Sequence, residues 1–277
     1  MKRLFAASPV GSAAFQLSAR TAVPRPKYSA AAVSAVLVFA LAVGMGIPTL
    51  AFADTAKDTT GTTPKKAKQK VIVIDAGHQK TGMSSTEPIG PGAKQRKMKV
   101  TWGTTGCVTR VPEYKLTLQV AKRLQKELVK RGYRVIMVRT THNVRISNAQ
   151  RAKIANRAKA DALIRIHANS SSSSSAKGAL TIAPTSKNKY MGKKNRSRSY
   201  ALSKQVLKHM CKATGAKNRG VWRTDTMSGI NWCKVPVTIV EMGFMSNPAE
   251  DRKMQKASYQ KKIVKGIANG LDAYFKK

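Results

Sequence analysis

A chain of 277 residues with 42% apolar content has ample length for a buried core, as one large domain or two small ones. Its formal net charge of +40, from 52 basic and only 12 acidic residues, requires anions nearby: nucleic acid, an anionic membrane or an anionic polymer outside the cell. An aromatic content of 6% disfavours a base-stacking platform, and the absence of Cys-x-x-Cys spacing disfavours a thiolate zinc site.

Residues Ala30 to Leu50 form an apolar stretch interrupted only by Ser34, Gly44, Gly46, Pro48 and Thr49. Arg20, Arg25 and Lys27 precede it, and Ala51-Phe52-Ala53 follows as a small-x-small cleavage signature. Residues 1–53 therefore read as a signal peptide or an N-terminal membrane anchor, the run being close to the roughly 20 residues that span a bilayer. Gly44, Gly46 and Pro48 loosen its late part and favour cleavage. In either case the remainder is exported and extracellular or wall-associated. Nucleic acid is then excluded as a partner, and a membrane is met only through this segment if it stays uncleaved. Residues 54–70, rich in Thr, Lys and Gly, read as a flexible linker, and 71–277 as a single catalytic domain. Of Cys107, Cys211 and Cys233, at least one is unpaired; Cys211 and Cys233 could pair, or all three could be small buried hydrophobes.

Val71 to Asp75 is a continuous apolar run, suited to a strand covered on both faces. The polar segment Gln79 to Arg110 is expected to be a long loop forming a cleft wall. Pro112 opens a helix in which Leu116, Val120, Leu124 and Leu128 recur every fourth residue until Gly132. Tyr133 to Val138 reads as a strand. Ser147 or Asn148 caps a helix carrying Ala149, Ala152, Ala155 and Ala158, and Ala162 to Ile166 is a strand ending at His167. The six serines Ser170 to Ser175 read as a loop, since no Gly-x-Ser-x-Gly turn surrounds them. Leu180 to Ala183 predicts a short strand, and Leu202, Val206 and Met210 mark a basic helix over 197–213. Val237 to Val240 is a further strand reaching Glu241. A short helix starts at Asn247-Pro248, and Ile263, Ile267, Leu271 and Phe275 mark the last one. The fold class predicted is α/β: one mainly parallel or mixed sheet with helices on both faces.

In such sheets, sites form at the carboxyl ends of strands, where His78, His167 and Glu241 all fall. Two imidazoles and a carboxylate are the ligands of an open catalytic zinc site, and a further carboxylate can move protons. The chain thus reads as a zinc hydrolase. The words Val-Ile-Val-Ile-Asp-Ala-Gly-His78, Pro-Glu113-Tyr, Arg151 to Asn156, Ile-His167-Ala-Asn and Ile-Val-Glu241-Met-Gly-Phe-Met-Ser-Asn occur in order from about Val71 to near the C-terminus. Together they resemble the catalytic domain of N-acetylmuramoyl-L-alanine amidases, the zinc-dependent family that trims bacterial peptidoglycan. The resemblance implies one zinc ion held by His78, Glu113 and His167, with Glu241 as the catalytic carboxylate. It implies hydrolysis of the bond between the lactyl group of muramic acid and L-alanine. A zinc endopeptidase cutting within the stem peptide and a catalytically silent wall-binding protein are the alternatives.

Asp75 is placed to orient an imidazole or pair with a base, and Arg165 shares strand parity with His167. The family more often has a small residue at Arg165, so that position is a departure, with Asp75 as its candidate partner. Gln79-Lys80 is another, where glycines are common. Arg151, Asn169, Asn231 and Trp232 are candidates for substrate contact or for holding the rim. His142 and His209 fit no ligand spacing. The partner expected is peptidoglycan, with anionic wall polymers retaining so cationic a chain.

Overall fold

Val71–Ala76 (β1) is buried at all six positions, as a strand covered on both faces must be. The computed structural model describes residues 69–276, so the signal or anchor reading and nearly all of the proposed linker lie outside the described residues. After β1 come a hairpin of Met83–Pro88 (β2) and Arg96–Val100 (β3), the helix Glu113–Lys130 (α1) and the strand Arg134–Met137 (β4). Asn148–Arg157 (α2), Ala162–Asn169 (β5), Ala179–Ala183 (β6), Lys193–Thr214 (α3) and Asn218–Arg223 (β7) follow. One helical turn, Ser228–Asn231 (α4), leads to Val237–Phe244 (β8), and Pro248–Gln255 (α5) and Ala257–Phe275 (α6) end the described chain.

The main sheet has the order β4-β1-β5-β8-β6-β7. Its first four strands are mutually parallel, β6 runs antiparallel to β8, and β7 is parallel to β6. Alternation along β1 divides the core. Ile72, Ile74 and Ala76 pack with α1, α3 and α6, whereas Val71 and Val73 pack with α2 and α4 on the opposite face. This is the mixed α/β sheet with two helical layers that the residue pattern predicts.

Two packing features place functional residues. Leu116, Val120, Leu124 and Leu128 of α1 are fully buried, each worth roughly 1.5–3 kcal/mol of burial, and they press α1 onto β1 and β5. Glu113 is thereby fixed at the edge of the sheet. Ser147, rather than Asn148, caps α2 through a reciprocal box with Gln150, a device worth about 1 kcal/mol. That leaves the side chain of Asn148, the first helical residue, to accept from Arg165 Nη2 at 2.6 Å.

Four elements were not foreseen. The segment expected as a loop holds the β2–β3 hairpin, and β7 and α4 lie between α3 and β8. The serine run is a loop, with the Ser171 backbone N–H donating to Ser246 Oγ. Cys107, Cys211 and Cys233 are all free; Cys211 packs on the α1–α3–α6 side and Cys233 on the other, so the sheet separates the pair considered above. No helix among the described residues is long and apolar enough to cross a membrane.

Candidate metal centre

The parallel register carries three groups to one edge of the sheet. The backbone turns out of β1 through Gly77 to His78, and in the β5–β8 ladder His167 stands directly opposite Glu241. The N-terminus of α1 brings Glu113 between the two imidazoles. Its Oε2 lies 3.2 Å from His78 Nε2 and its Oε1 lies 3.1 Å from His167 Nδ1. One ligand atom from each of the three residues fits within 4.8 Å of the others.

Each group is held by its surroundings. His78 adopts φ 57°, uncommon for a residue with a side chain, and Arg151 Nη2 donates to its carbonyl at 3.1 Å. His78 Nδ1 donates to the Thr101 carbonyl at 2.9 Å, leaving the Nε2 lone pair turned toward Glu113. Glu113 also accepts the backbone N–H groups of Thr104 and Ala168, each at 3.0 Å. Two glycines make room. A Cβ on Gly77 would fall 2.4–2.6 Å from three atoms of the His167 ring, and one on Gly103 would meet Glu113 Oε2 and the His78 ring at 2.8–2.9 Å.

The electrostatics suit a cation. Burial alone would raise the pKa of Glu113, but hydrogen bonds and charge from both imidazoles hold it well below the usual carboxylate range. Burial pushes His167 down to about 4, against its bond to Glu113, so its ring is neutral at ordinary pH. The buried His167 Nε2 has no hydrogen-bond partner among the described residues. Two imidazoles, one of them held neutral by burial, an ionised carboxylate and an orphaned buried nitrogen match the donor set of a zinc ion with an open position. These residues fit that metal.

Glu241 differs from the other acids. Of the twelve acidic residues, Asp54 and Asp58 lie outside the described residues. Asp75, Glu87, Glu113, Glu127, Asp161, Asp225, Glu250, Asp251 and Asp272 each hold a cation or a hydrogen-bond donor. Glu241 Oε2 is sealed from solvent with no partner among the described residues. Burial, and after it the charge of Glu113, push its carboxyl up to about 8, with Arg165 opposing.

Beneath the group lies an ionic floor. Asp75 Oδ1 accepts from Arg151 Nη1 at 2.5 Å and Oδ2 from Arg165 Nε at 2.8 Å, all three residues being buried. Burial would raise the Asp75 pKa, yet the two guanidinium groups hold it far below the normal value. Arg151 further reaches the Ala76 carbonyl and Gln79 Oε1. Gln79, one of the two departures after the histidine, is thus a brace: it also accepts from the Ile146 N–H and donates to the Thr81 carbonyl. Arg139 was missed by sequence reasoning. It is buried and donates to the carbonyls of Ala76, Gly77 and Tyr114, and burial lowers its pKa to about 10. The only available signal was an arginine closing the apolar run of β4.

The other candidates lie elsewhere. Asn169 Oδ1 accepts from the Ser170 N–H where β5 turns into the serine loop. Asn231 accepts from Asn188 and donates to the Asp225 carbonyl, bracing the loop around α4. Trp232 Nε1 donates to the Pro88 carbonyl, tying down the hairpin, and its ring lines a separate cavity of about 380 Å³ with Tyr190 and Lys153. His142 packs edge-on against Tyr114, and His209 is half-buried on α3. The cleft over the metal group is about 440 Å³, within the range of small-ligand sites. The hairpin, through Lys97 and Met98, and α4, through Ser228 and Gly229, form part of its wall.

Residues 72–273 match a family model described as N-acetylmuramoyl-L-alanine amidase. The chain is 28% identical over 207 residues to the N-acetylmuramoyl-L-alanine amidase LytC of Bacillus subtilis (strain 168), a match covering 75% of this chain and 36% of that protein. It therefore spans about a third of that relative's length. It superposes on the catalytic domain of CwlV, an N-acetylmuramoyl-L-alanine amidase from Bacillus (Paenibacillus) polymyxa var. colistinus, with TM-score 0.60 and 27% identity, covering 75% of this chain and 99% of that one. The fold is shared with the amidase Ami1 from Mycobacterium smegmatis, with TM-score 0.66 and 22% identity over 75% and 97% of the two chains.

Proposed function

The chain belongs to the N-acetylmuramoyl-L-alanine amidase family, and on that premise we propose that it is a zinc hydrolase of bacterial peptidoglycan. The bond cut is the amide between the lactyl group of N-acetylmuramic acid and L-alanine. The observation that carries this reading is the convergence of His78, Glu113 and His167 beside a carboxylate, Glu241, whose buried Oε2 has no partner among the described residues. His78, Glu113 and His167 would hold one zinc ion. When bound, the ion supplies Lewis acidity, which acidifies water and withdraws charge from an amide carbonyl.

The chain's own residues do the rest. Glu241 Oε2 accepts the proton of the attacking water and delivers it to the departing alanine nitrogen, because an unprotonated amine leaves poorly. A carboxyl raised to about 8 in the metal-free site has the proton affinity this requires, and a bound cation would bring it back toward neutrality. Arg151 and Thr101 keep the His78 ring aimed inward, and Asp75 anchors the floor. The hairpin and α4 wall the cleft around the peptide.

Residues 1–53 would export the chain, as a cleaved signal or an anchor, and 54–70 would tether the domain. Anionic wall polymers would then retain the cationic exterior through many weak contacts, which salt should release.

The deciding experiment is mass spectrometry of purified peptidoglycan digested by the zinc-loaded chain and by Glu241→Gln. Stem peptides beginning at L-alanine, with glycans keeping intact lactyl groups, are expected from the wild type. Glu241→Gln should keep its zinc and lose about 10²- to 10⁴-fold in kcat. Internal stem cleavage would make the chain an endopeptidase, and no cleavage at all would make it a wall-binding protein.

A further inference from the structure

Arg165 is unlike the other cations of the ionic floor. Arg151 and Arg139 give their guanidinium groups wholly to protein oxygens around β1. Arg165 bonds Asp75 through Nε at 2.8 Å and Asn148 Oδ1 through Nη2 at 2.6 Å. Its Nη1 has no hydrogen-bond partner among the described residues, and Arg165 lines the cleft with His167 and Glu241. Gly229 makes the space: a Cβ there would sit 1.5 Å from Nη1. Strand parity puts Arg165 on the same face of β5 as His167, about 7 Å along the strand. Asp75 carries one negative charge against two guanidinium groups, so the floor presents a surplus positive charge to the cleft. The guanidinium is rigidly clamped, buried and one donor short.

We propose that Arg165 Nη1 binds a free carboxylate on the peptide portion of the substrate, close to the amide that is cut. The inference rests on the amidase reading for the identity of the peptide, and it makes Arg165 a specificity residue that takes no part in the proton transfers. A fixed, preorganised guanidinium pairs with carboxylate through charge-assisted hydrogen bonds and gains little from a neutral carboxamide. Glu241 is the acid sharing the cleft, and no hydrogen bond joins it to Arg165. Arg165 therefore has a donor to offer while Glu241 performs its own task.

The test uses two synthetic muropeptides that differ only in a carboxylate or a carboxamide on the residue after L-alanine. Calorimetric titration of the zinc-loaded full chain carrying Glu241→Gln should show about 10- to 100-fold tighter binding of the carboxylate form. Adding Arg165→Met should abolish that preference and leave carboxamide affinity within about threefold. Equal affinity of the Glu241→Gln chain for both ligands, or a preference that survives Arg165→Met, overturns the proposal. Should Arg165→Met fail to fold, the comparison of the two ligands on the parent chain still decides, and Arg165→Lys should retain part of the preference. In turnover by the wild type, the carboxamide should raise KM with kcat unchanged. An Arg165 that only neutralises Glu241 would instead lower kcat for both substrates alike once mutated. Binding does not depend on cleavage, so a digest lacking the lactyl–alanine cut would fail the amidase reading while the ligand pair still reports on Arg165.

Discussion

Replacing Asp75 with asparagine should unfold much of what supports the metal group. Asp75 is wholly buried, with Arg151 fully buried and Arg165 4% exposed on its two oxygens. Asparagine keeps the shape and removes the charge, stranding two guanidinium groups with Arg139 beside them. Removing one partner of a buried ion pair costs about 3–5 kcal/mol, against a total stability of about 5–15 kcal/mol for a domain. The loss is readable in urea unfolding followed by the fluorescence of Trp102, Trp222 and Trp232. Its pH dependence has a definite sign. The folded pKa lies below the ordinary 3.8, so Asp75 stabilises the wild type above that value and the contribution fades as pH falls below it. Asp75→Asn should therefore lack this acid limb. If stranded charge is the cause, adding Arg165→Met to Asp75→Asn should recover roughly 1 kcal/mol or more, a coupling typical of contacting residues. A single-mutant loss below about 1 kcal/mol, or strictly additive losses, would refute the reasoning.

Further outcomes are expected at the site. Gly77→Ala should push the His167 ring aside and lower zinc affinity by at least about 10-fold in a chelator competition, with helical circular dichroism retained. Glu113→Gln should leave the purified chain short of zinc by elemental analysis, since it removes the anionic ligand and sets an NH2 group against one of the two backbone N–H groups, of Thr104 and Ala168, that the carboxylate accepts. In the metal-free protein, the Glu241 carboxyl stays protonated up to about 8 while the unfolded chain ionises near 4.5, so folding stability contributed by this group declines between those values. Glu241→Gln should remove that decline, and parallel stability–pH curves for the two proteins would contradict it. Ser147→Ala should cost about 1 kcal/mol through loss of the cap of α2.

The buried parts of the fold were legible because their residues carry a period. The four-residue spacing of α1 and the unbroken apolar runs of β1, β5 and β8 have no other use for that pattern than burial. The β2–β3 hairpin escaped because most of its side chains are polar and only Glu87 and Val100 are buried, so its pairing rests on backbone hydrogen bonds that leave no apolar alternation. The edge strand β7 escaped for the same reason. At the site, His78, His167 and Glu241 were readable from strand ends, whereas Glu113 needed the family's word order. The roles of Gln79 and Arg139 were out of reach. Arg139 acts through the backbone carbonyls of Ala76 and Gly77, and Gln79 through the Ile146 N–H and the Arg151 guanidinium, all far away in sequence and without a spacing that marks them.

The commitment of nine carboxylates to donors inside or along the fold has a consequence for how the exterior responds to acid. Few unpaired acidic groups remain on the outside to be neutralised, and lysine and arginine keep their protons to about pH 10. The described domain thus behaves like an anion-exchange bead whose capacity is insensitive to pH across the range in which bacteria grow. Acidifying its surroundings would neither recruit nor detach it from a polyanion. Control of that attachment would pass to mobile counterions and to whatever titrates on the polymer itself.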